Sequence, residues 1–129
     1  PARPGRRLAA SGSIWEDRAG FSRAIRTGDR ILVSGTTATG PSGEVVAPGD
    51  AEAQAVFVLD KIAAAISSLG GRLEDVVRTR IHLSDPARWE EVSRVHARYF
   101  GAVRPANTLI GSGLVGPYLV EIEAEADLG

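Results

Sequence analysis

Hydrophobic positions recur with a helical period in two segments of the chain. Within residues 51–69 the apolar side chains are spaced three and four apart, which places them on one face of a helix. Asp50 supplies the predicted N-cap of this helix, and the glycine pair 70–71 ends it. A second apolar stripe follows Ser-Asp-Pro at 84–86 and predicts a helix over residues 89–100.

Strand-like segments surround these helices. Residues 21–25 and 30–34 are rich in β-formers and are separated by a turn-rich linker, so they predict an antiparallel hairpin. Residues 76–83 are rich in β-branched side chains and form the clearest strand in the sequence. Two further strands are predicted over 107–111 and 118–127, joined by a loop of glycine and proline.

The order of these elements predicts the fold class. Strands, a helix, a strand, a helix and two strands indicate an α+β domain, in which two helices pack on one face of a mixed sheet. A chain of 129 residues is long enough for one domain with its own core. We expect residues 1–8, which are basic and lead into no apolar block, to form a flexible tail. Residues 9–129 then form the single domain.

Charged side chains occupy one side of two predicted strands. In the strand at 76–83, alternation separates a mainly apolar row from a basic row. The apolar row comprises Val77, Thr79, Ile81 and Leu83, and the basic row comprises Arg78, Arg80 and His82. The strand at 118–127 carries an acidic row that includes Glu121, Glu123 and Glu125. If the two strands are neighbours, we expect Arg78 or Arg80 to form an ion pair with one of these glutamates.

Composition limits the partners and the chemistry. With 15 Lys and Arg against 16 Asp and Glu, the net charge is -1, so no global field attracts nucleic acid or an anionic membrane. Because the chain has no cysteine, the fold does not depend on disulfides or thiolate zinc sites, and a cytoplasmic location is the default expectation. Two histidines without clustered acidic partners predict no metal site, and no apolar segment is long enough to span a membrane.

Six short motifs occur in a fixed order between residues 19 and 127. They are Gly20-Phe-Ser-Arg-Ala24, Ile31-Leu-Val-Ser-Gly35, Gln54 with Leu59, Leu73-Glu-Asp-Val-Val-Arg-Thr79 leading into Ile81-His-Leu-Ser-Asp85, Arg104-Pro-Ala106, and Val120-Glu-Ile-Glu-Ala124. Together with the order of elements, these motifs resemble the YjgF/RidA family, whose members are also called L-PSP or Rid proteins.

The resemblance implies a fold, an assembly and an activity. The implied fold is chorismate-mutase-like and assembles as a homotrimer, with three clefts lined by residues of two neighbouring subunits. RidA-type members hydrolyse reactive enamines and imines to keto acids and ammonia without a metal or an organic cofactor. The expected partner is therefore a small molecule in the cleft between subunits, and we expect no cofactor, no nucleic acid and no membrane as partners.

The resemblance also implies roles for five residues. Glu121 matches the glutamate that positions or activates the attacking water, Phe21 replaces a tyrosine, and Ser34 matches a position that lines the cleft. Asn107 stands where RidA-type members have the arginine that binds the substrate carboxylate, and Thr108 follows it. A neutral amide binds a carboxylate less well than a guanidinium does, so we expect simple 2-imino acids to be poor substrates.

Two functions remain open at this point. The first is an enzyme that hydrolyses an imine or enamine, or performs a related water addition. In this enzyme Glu121 positions or activates the attacking water, and the residues that bind the substrate are Ser34, Asn107 and Thr108. The second is a protein that binds a metabolite in the same cleft without turnover, which the missing arginine favours. An endoribonuclease of the L-PSP type ranks below both, because the net charge is -1 and no strip of basic and aromatic residues is present.

Some candidate residues have a structural interpretation. His96, Trp89 and Tyr99 lie on the apolar stripe of the second helix, and we expect them to pack in the core rather than to act in chemistry. Glu121 has the same alternative, because it belongs to an alternating row of carboxylates that is typical of the solvated face of a strand.

Overall fold

The computed structural model describes residues 3–129, and residues 1 and 2 of the predicted tail lie outside the described part. In chain order the elements are β1 (Arg6–Ala9), α1 (Ile14–Ala19), β2 (Ala24–Thr27), β3 (Arg30–Thr37), α2 (Ala51–Ser68), β4 (Val76–Leu83), α3 (Trp89–Phe100), β5 (Ala106–Gly111) and β6 (Val120–Asp127). Short 3₁₀ turns at Leu73–Asp75 and Pro86–Arg88 precede β4 and α3. Within the described range, no helix combines the length and the hydropathy that a membrane span requires.

The strands form one sheet in the order β1-β2-β3-β6-β4-β5. β4 and β5 run parallel, with α3 in the crossover between them, and all other neighbouring strands run antiparallel. α2 packs against β3 and β6, and α3 packs against α2. The observed architecture confirms the predicted α+β class, a mixed sheet with the two long helices packed on one face.

The start of α2 is fixed by side-chain hydrogen bonds. The Asp50 carboxylate accepts from the Ala53 amide at 3.0 Å, as the sequence predicts for an N-cap. Gln54, one turn into the helix, is fully buried. Its amide group donates to the Ala47 carbonyl at 3.2 Å and accepts from the Leu119 amide at 3.0 Å. This buried amide therefore ties the loop before α2 to the segment that enters β6.

The predicted tail is wrong for residues 6–8, which belong to β1. This strand pairs antiparallel with β2 and forms one edge of the sheet. Arg7 donates to the carbonyl of Leu69 at 2.9 Å, and Arg26 of β2 donates to the same oxygen at 2.8 Å. Two cations thus bind an unpaired carbonyl at the C-terminal end of α2, where the helix dipole favours positive charge. These long-range contacts order a segment that shows no hydrophobic pattern of its own.

The row predicted to face the core from β4 needs one correction. Thr79, Ile81 and Leu83 are buried as expected, whereas Val77 is 47% exposed. The pairing of β4 with β6 shifts register between Val76 and Arg78, and this bulge turns Val76 inward and Val77 outward.

The basic and acidic rows of β4 and β6 meet as predicted. The Arg80 guanidinium lies 3.2 Å from a carboxylate oxygen of Glu123 and 3.5 Å from one of Glu125. His82 Nε2 lies 3.0 Å from the other Glu123 oxygen. These pairs confirm the expected ion pair between Arg78 or Arg80 and a β6 glutamate. The carboxylates of Glu123 and Glu125 therefore balance the charge of basic side chains on β4.

The aromatic residues of α3 differ in burial. Phe100 is buried, but Trp89 is 52% exposed, so its predicted core position is wrong. Trp89 is the first residue of α3 and does not belong to the buried cluster. Tyr99 is half-buried and packs against the core, while its hydroxyl donates to the Asp60 carboxylate at 2.7 Å. Burial and this hydrogen bond raise the pKa of Tyr99 to about 12.

Candidate functional site

A cleft of about 400 Å³ opens where α1, α2 and the ends of β3 and β6 meet. Its lining comprises Ser13, Trp15, Ala19, Phe21, Arg23, Gly35, Thr37, Thr39, Lys61, Val115, Tyr118 and Glu121. Of the residues with predicted roles, Phe21 and Glu121 line this cleft. The cleft therefore joins one predicted catalytic group to several residues that the sequence did not single out.

The position of Glu121 depends on a glycine in the neighbouring strand. The pairing of β3 with β6 shifts register between Val33 and Thr36, and Gly35 lies in this bulge. A Cβ atom at Gly35 would overlap the Glu121 carboxylate. Because glycine has no side chain, the carboxylate rests against the backbone of β3 and reaches the cleft.

A buried cation lies beside this carboxylate. Arg23 is 7% exposed, and its guanidinium donates to the Gly35 carbonyl at 2.5 Å. Burial lowers the pKa of Arg23, while the carboxylates of Glu16 and Glu121 oppose that shift. Among residues 3–129, Arg23 Nε has no hydrogen-bond partner. The cleft thus contains a fixed positive charge with a free donor.

The counter-ion of Arg23 comes from α1. Glu16 is 5% exposed, and its Oε2 atom lies 3.9 Å from Arg23 Nη1. The same carboxylate accepts hydrogen bonds from the amide of Ser11, at 3.1 Å, and from its hydroxyl. Ser13 caps α1 by accepting from the Trp15 amide at 3.2 Å. The short helix α1 is therefore attached to the sheet through one buried ion pair.

The walls of the cleft divide into an apolar part and a hydroxyl-rich part. Trp15 and Phe21 are 55% and 40% exposed and line the apolar part. On the other side the Tyr118 hydroxyl lies 2.6 Å from the Thr39 hydroxyl, which lies 2.8 Å from the Thr37 hydroxyl. Such a lining suits a small ligand with an apolar body and a polar end.

Lys61 reaches the cleft from α2. Its Nζ atom donates to the Thr39 carbonyl at 3.2 Å. Burial and then the charge of Arg23 lower the pKa of Lys61, and the Glu16 carboxylate acts in the opposite direction. Lys61 is thus a second basic group in the cleft.

Ser34, a predicted binding residue, lies next to the cleft but does not line it. Its hydroxyl donates to the Ser22 carbonyl at 2.8 Å. Within one chain this hydroxyl therefore fixes the backbone between β2 and β3. Its predicted role in substrate binding stays a prediction.

Asn107 and Thr108 lie on β5, at the far edge of the sheet. The Asn107 amide donates to the Thr79 hydroxyl at 2.9 Å, and the same hydroxyl lies 2.8 Å from His96 Nε2. Burial lowers the pKa of His96, which fits its predicted packed position. Because β4 lies between β5 and the strand that carries Glu121, one chain does not bring Asn107 together with Glu121.

Sequence reasoning missed three cleft residues, for which the signals were weak or absent. Arg23 is part of the motif over residues 20–24, but an arginine within a predicted strand is usually a solvated side chain. Lys61 is the only lysine in the chain, which is a compositional signal. Tyr118 precedes β6 in a glycine and proline loop, and nothing in that loop predicts its contact with Thr39.

Comparison with known proteins extends over nearly the whole chain. A family model described as endoribonuclease L-PSP matches residues 13–128. An uncharacterized protein from Streptomyces coelicolor is 37% identical over 126 residues, which cover 95% of this chain and 92% of that protein.

Solved structures agree with this match. The crystal structure of Rv2704 from Mycobacterium tuberculosis, a member of the YjgF/YER057c/UK114 family, has 42% sequence identity and a TM-score of 0.86, with 95% of this chain and 98% of that chain covered. The Rid-family protein YyfA from Yersinia pestis has 27% identity and a TM-score of 0.84, with 95% and 98% covered. This chain therefore belongs to the YjgF/YER057c/UK114 family, which the L-PSP model describes.

Proposed function

We propose that the chain binds a small molecule with a carbon–nitrogen double bond in the Glu121 cleft and adds water to that bond. The observation that carries this proposal is the Glu121 carboxylate, which is held against Gly35 at a cleft that also contains Arg23. A carboxylate held in place at the cleft, next to an apolar wall, suits a group that accepts a proton from water.

The proposed reaction is the hydrolysis of an imine. Glu121 accepts a proton from water while the water oxygen bonds to the imine carbon and the π electrons of the double bond move to nitrogen. The imine nitrogen takes up the proton that Glu121 accepted, which gives a neutral carbinolamine. The hydroxyl proton of the carbinolamine then moves to the nitrogen as the carbon–nitrogen bond breaks, so that ammonia leaves and a carbonyl group remains. The balance is one imine and one water consumed, and one carbonyl compound and one ammonia formed. A positioned base of this kind contributes a factor of about 10² to 10⁴.

The proposal includes a homotrimer. The sheet face that carries the charged rows also exposes Leu32 and Ile110, which are 38% and 45% exposed and are candidates for coverage by another subunit. In such an assembly Asn107 and Thr108 of one subunit would approach the Glu121 cleft of its neighbour. Light scattering coupled to gel filtration measures the mass directly, and a stable monomer at micromolar concentration would contradict this part.

The cleft favours a substrate that is larger or less acidic than a simple 2-imino acid. Trp15 and Phe21 provide apolar surface for a ring or an alkyl chain. Asn107 has a neutral amide at the position of the carboxylate-binding arginine of RidA-type members. Its Nδ2 atom already donates a hydrogen bond to the Thr79 hydroxyl. A larger imine with an apolar body therefore fits the cleft better than 2-iminopropanoate does, because the carboxylate of 2-iminopropanoate is attached to the imine carbon and meets no guanidinium at position 107.

The second candidate is a binding protein without turnover. Asn107 favours this candidate, because a site without an arginine at position 107 can bind a ligand without converting it. The two candidates share the cleft and differ only in whether Glu121 acts on water.

Ammonia release separates these candidates. The substrate is the free imine of 2-phenylethylamine, generated in place by a flavin-dependent amine oxidase. We expect the wild type to accelerate ammonia release, and Glu121→Gln to lower the rate by about 100-fold. Glu123→Gln is the matched control, because Glu123 lies two residues along the same strand and pairs with Arg80 instead. Equal rates for the two variants would remove Glu121 from the chemistry. No acceleration by the wild type would favour the binding protein.

A further inference from the structure

Lys61 is the only lysine in the chain, and it lies where two cavities meet. The first cavity is the Glu121 cleft of about 400 Å³. The second, of about 460 Å³, is lined by residues that include Phe57, Asp60 and Lys61. The other basic side chains of this protein are arginines and two histidines, and none of them carries a primary amine. The single primary amine among the side chains is thus placed at a ligand-sized space.

The surroundings of Lys61 favour a neutral amine. Its Nζ atom donates to the carbonyl of Thr39, which is a neutral partner. Burial and the nearby Arg23 lower its pKa, and Glu16 opposes them. Glu121 lines the same cleft and Asp60 lines the second cavity, so both carboxylates also belong to the charges around this amine. A desolvated amine beside another cation is the arrangement that activates lysine as a nucleophile.

An independent observation points to a ligand in the same cleft. Arg23 is 7% exposed, lines the cleft and has an Nε donor without a partner among residues 3–129. A buried donor without a partner costs free energy unless a ligand or water satisfies it. An acceptor oxygen on a bound molecule would satisfy Arg23 while the molecule lies within reach of Lys61.

We propose that Lys61 captures a small aldehyde or ketone in the cleft as a Schiff base. The amine nitrogen adds to the carbonyl carbon, and the carbonyl oxygen takes up a proton. The carbinolamine then loses water and leaves a carbon–nitrogen double bond to Nζ. One carbonyl compound and one amine are consumed, and one imine and one water are formed. The inference rests on the proposed ligand-binding role of the cleft, and it does not require turnover.

Reductive trapping tests this proposal on the whole protein. The probes are benzaldehyde and 4-formylbenzoate, each with cyanoborohydride, which reduces the Schiff base to a stable secondary amine. Intact mass counts the adducts, and peptide mapping separates an adduct on Lys61 from one at the amino terminus. The control is Lys61→Arg combined with Arg94→Lys. This variant also has one lysine, on α3, at a position where the arginine side chain is 71% exposed. Nα-acetyl-lysine in solution is a second reference that needs no folded variant.

We expect one adduct on Lys61, formed about tenfold faster than on the surface lysine and on acetyl-lysine, because the cleft holds the aldehyde beside the amine. We also expect 4-formylbenzoate to react faster than benzaldehyde, since its carboxylate can accept from Arg23. A Lys61 rate equal to or below both references would overturn the proposal. Ammonia release is measured separately, so adducts without ammonia release would reject the hydrolase and keep the Schiff base. Ammonia release without adducts would reject the Schiff base and keep the hydrolase.

Discussion

The Glu121 carboxylate occupies the space in which a side chain on Gly35 would lie. Gly35 does not have a positive φ, so its backbone conformation does not itself require glycine. The contact explains instead why the bulge in β3 carries a residue without a side chain. The geometry of Glu121 is therefore set by its neighbour across the sheet as well as by its own strand.

Gly35→Ala should separate activity from stability. The new methyl group would displace the end of a flexible carboxylate, so we expect the free energy of unfolding to change by less than about 1 kcal/mol. A displaced base should lower the rate of imine hydrolysis by about 10- to 100-fold. Gly113→Ala is the control, because a Cβ at Gly113 would meet no atom within 4 Å. Chemical denaturation and ammonia release measure the two effects, and unchanged activity in Gly35→Ala would contradict the role of this contact.

The buried ion pair between Glu16 and Arg23 should matter for stability. Glu16→Ala leaves a buried guanidinium without its counter-ion, and we expect a loss of about 3 kcal/mol in the free energy of unfolding. Asp17→Ala, one residue along α1, removes an exposed carboxylate and should cost less than about 0.5 kcal/mol. Urea unfolding at one protein concentration measures both values. Similar losses in the two variants would show that the pair does not attach α1 to the sheet.

His96 should make stability depend on pH. Burial lowers its pKa below the ordinary value of 6.5, so in the interval between the two values the unfolded chain binds more protons than the folded one. Stability contributed by the neutral ring is therefore complete above about pH 6.5 and is lost as the pH falls through the lower, folded-state pKa. His96→Gln cannot titrate and should show a smaller decrease between pH 8 and pH 5. Parallel stability profiles for the wild type and the variant would contradict this assignment.

The sequence predicts the fold better than it predicts the site. The periodic patterns locate both long helices and the strand at residues 76–83, because burial of one face imposes the pattern directly. The inward position predicted for Val77 is wrong, because a bulge changes which side chain faces inward and no local residue indicates the bulge. Arg23 and Lys61 escape prediction because their surroundings come from segments distant in the chain. Asn107 was identified by resemblance alone, and one chain does not place it in the Glu121 cleft.

The central claim is that Glu121 acts on water and that residue 107 selects the imine. Ammonia release from freshly generated 2-iminopropanoate tests this claim most directly. The variants are the wild type, Asn107→Arg, and Asn107→Arg combined with Glu121→Ala. We expect little activity from the wild type. Asn107→Arg should raise it by about tenfold or more, because a charge-assisted contact to the carboxylate is restored. Adding Glu121→Ala should abolish the gain. The account would be contradicted if the wild type turned over 2-iminopropanoate at a rate typical of good enzymes and Asn107→Arg left that rate unchanged. It would also be contradicted if the gain from Asn107→Arg remained after Glu121→Ala was added.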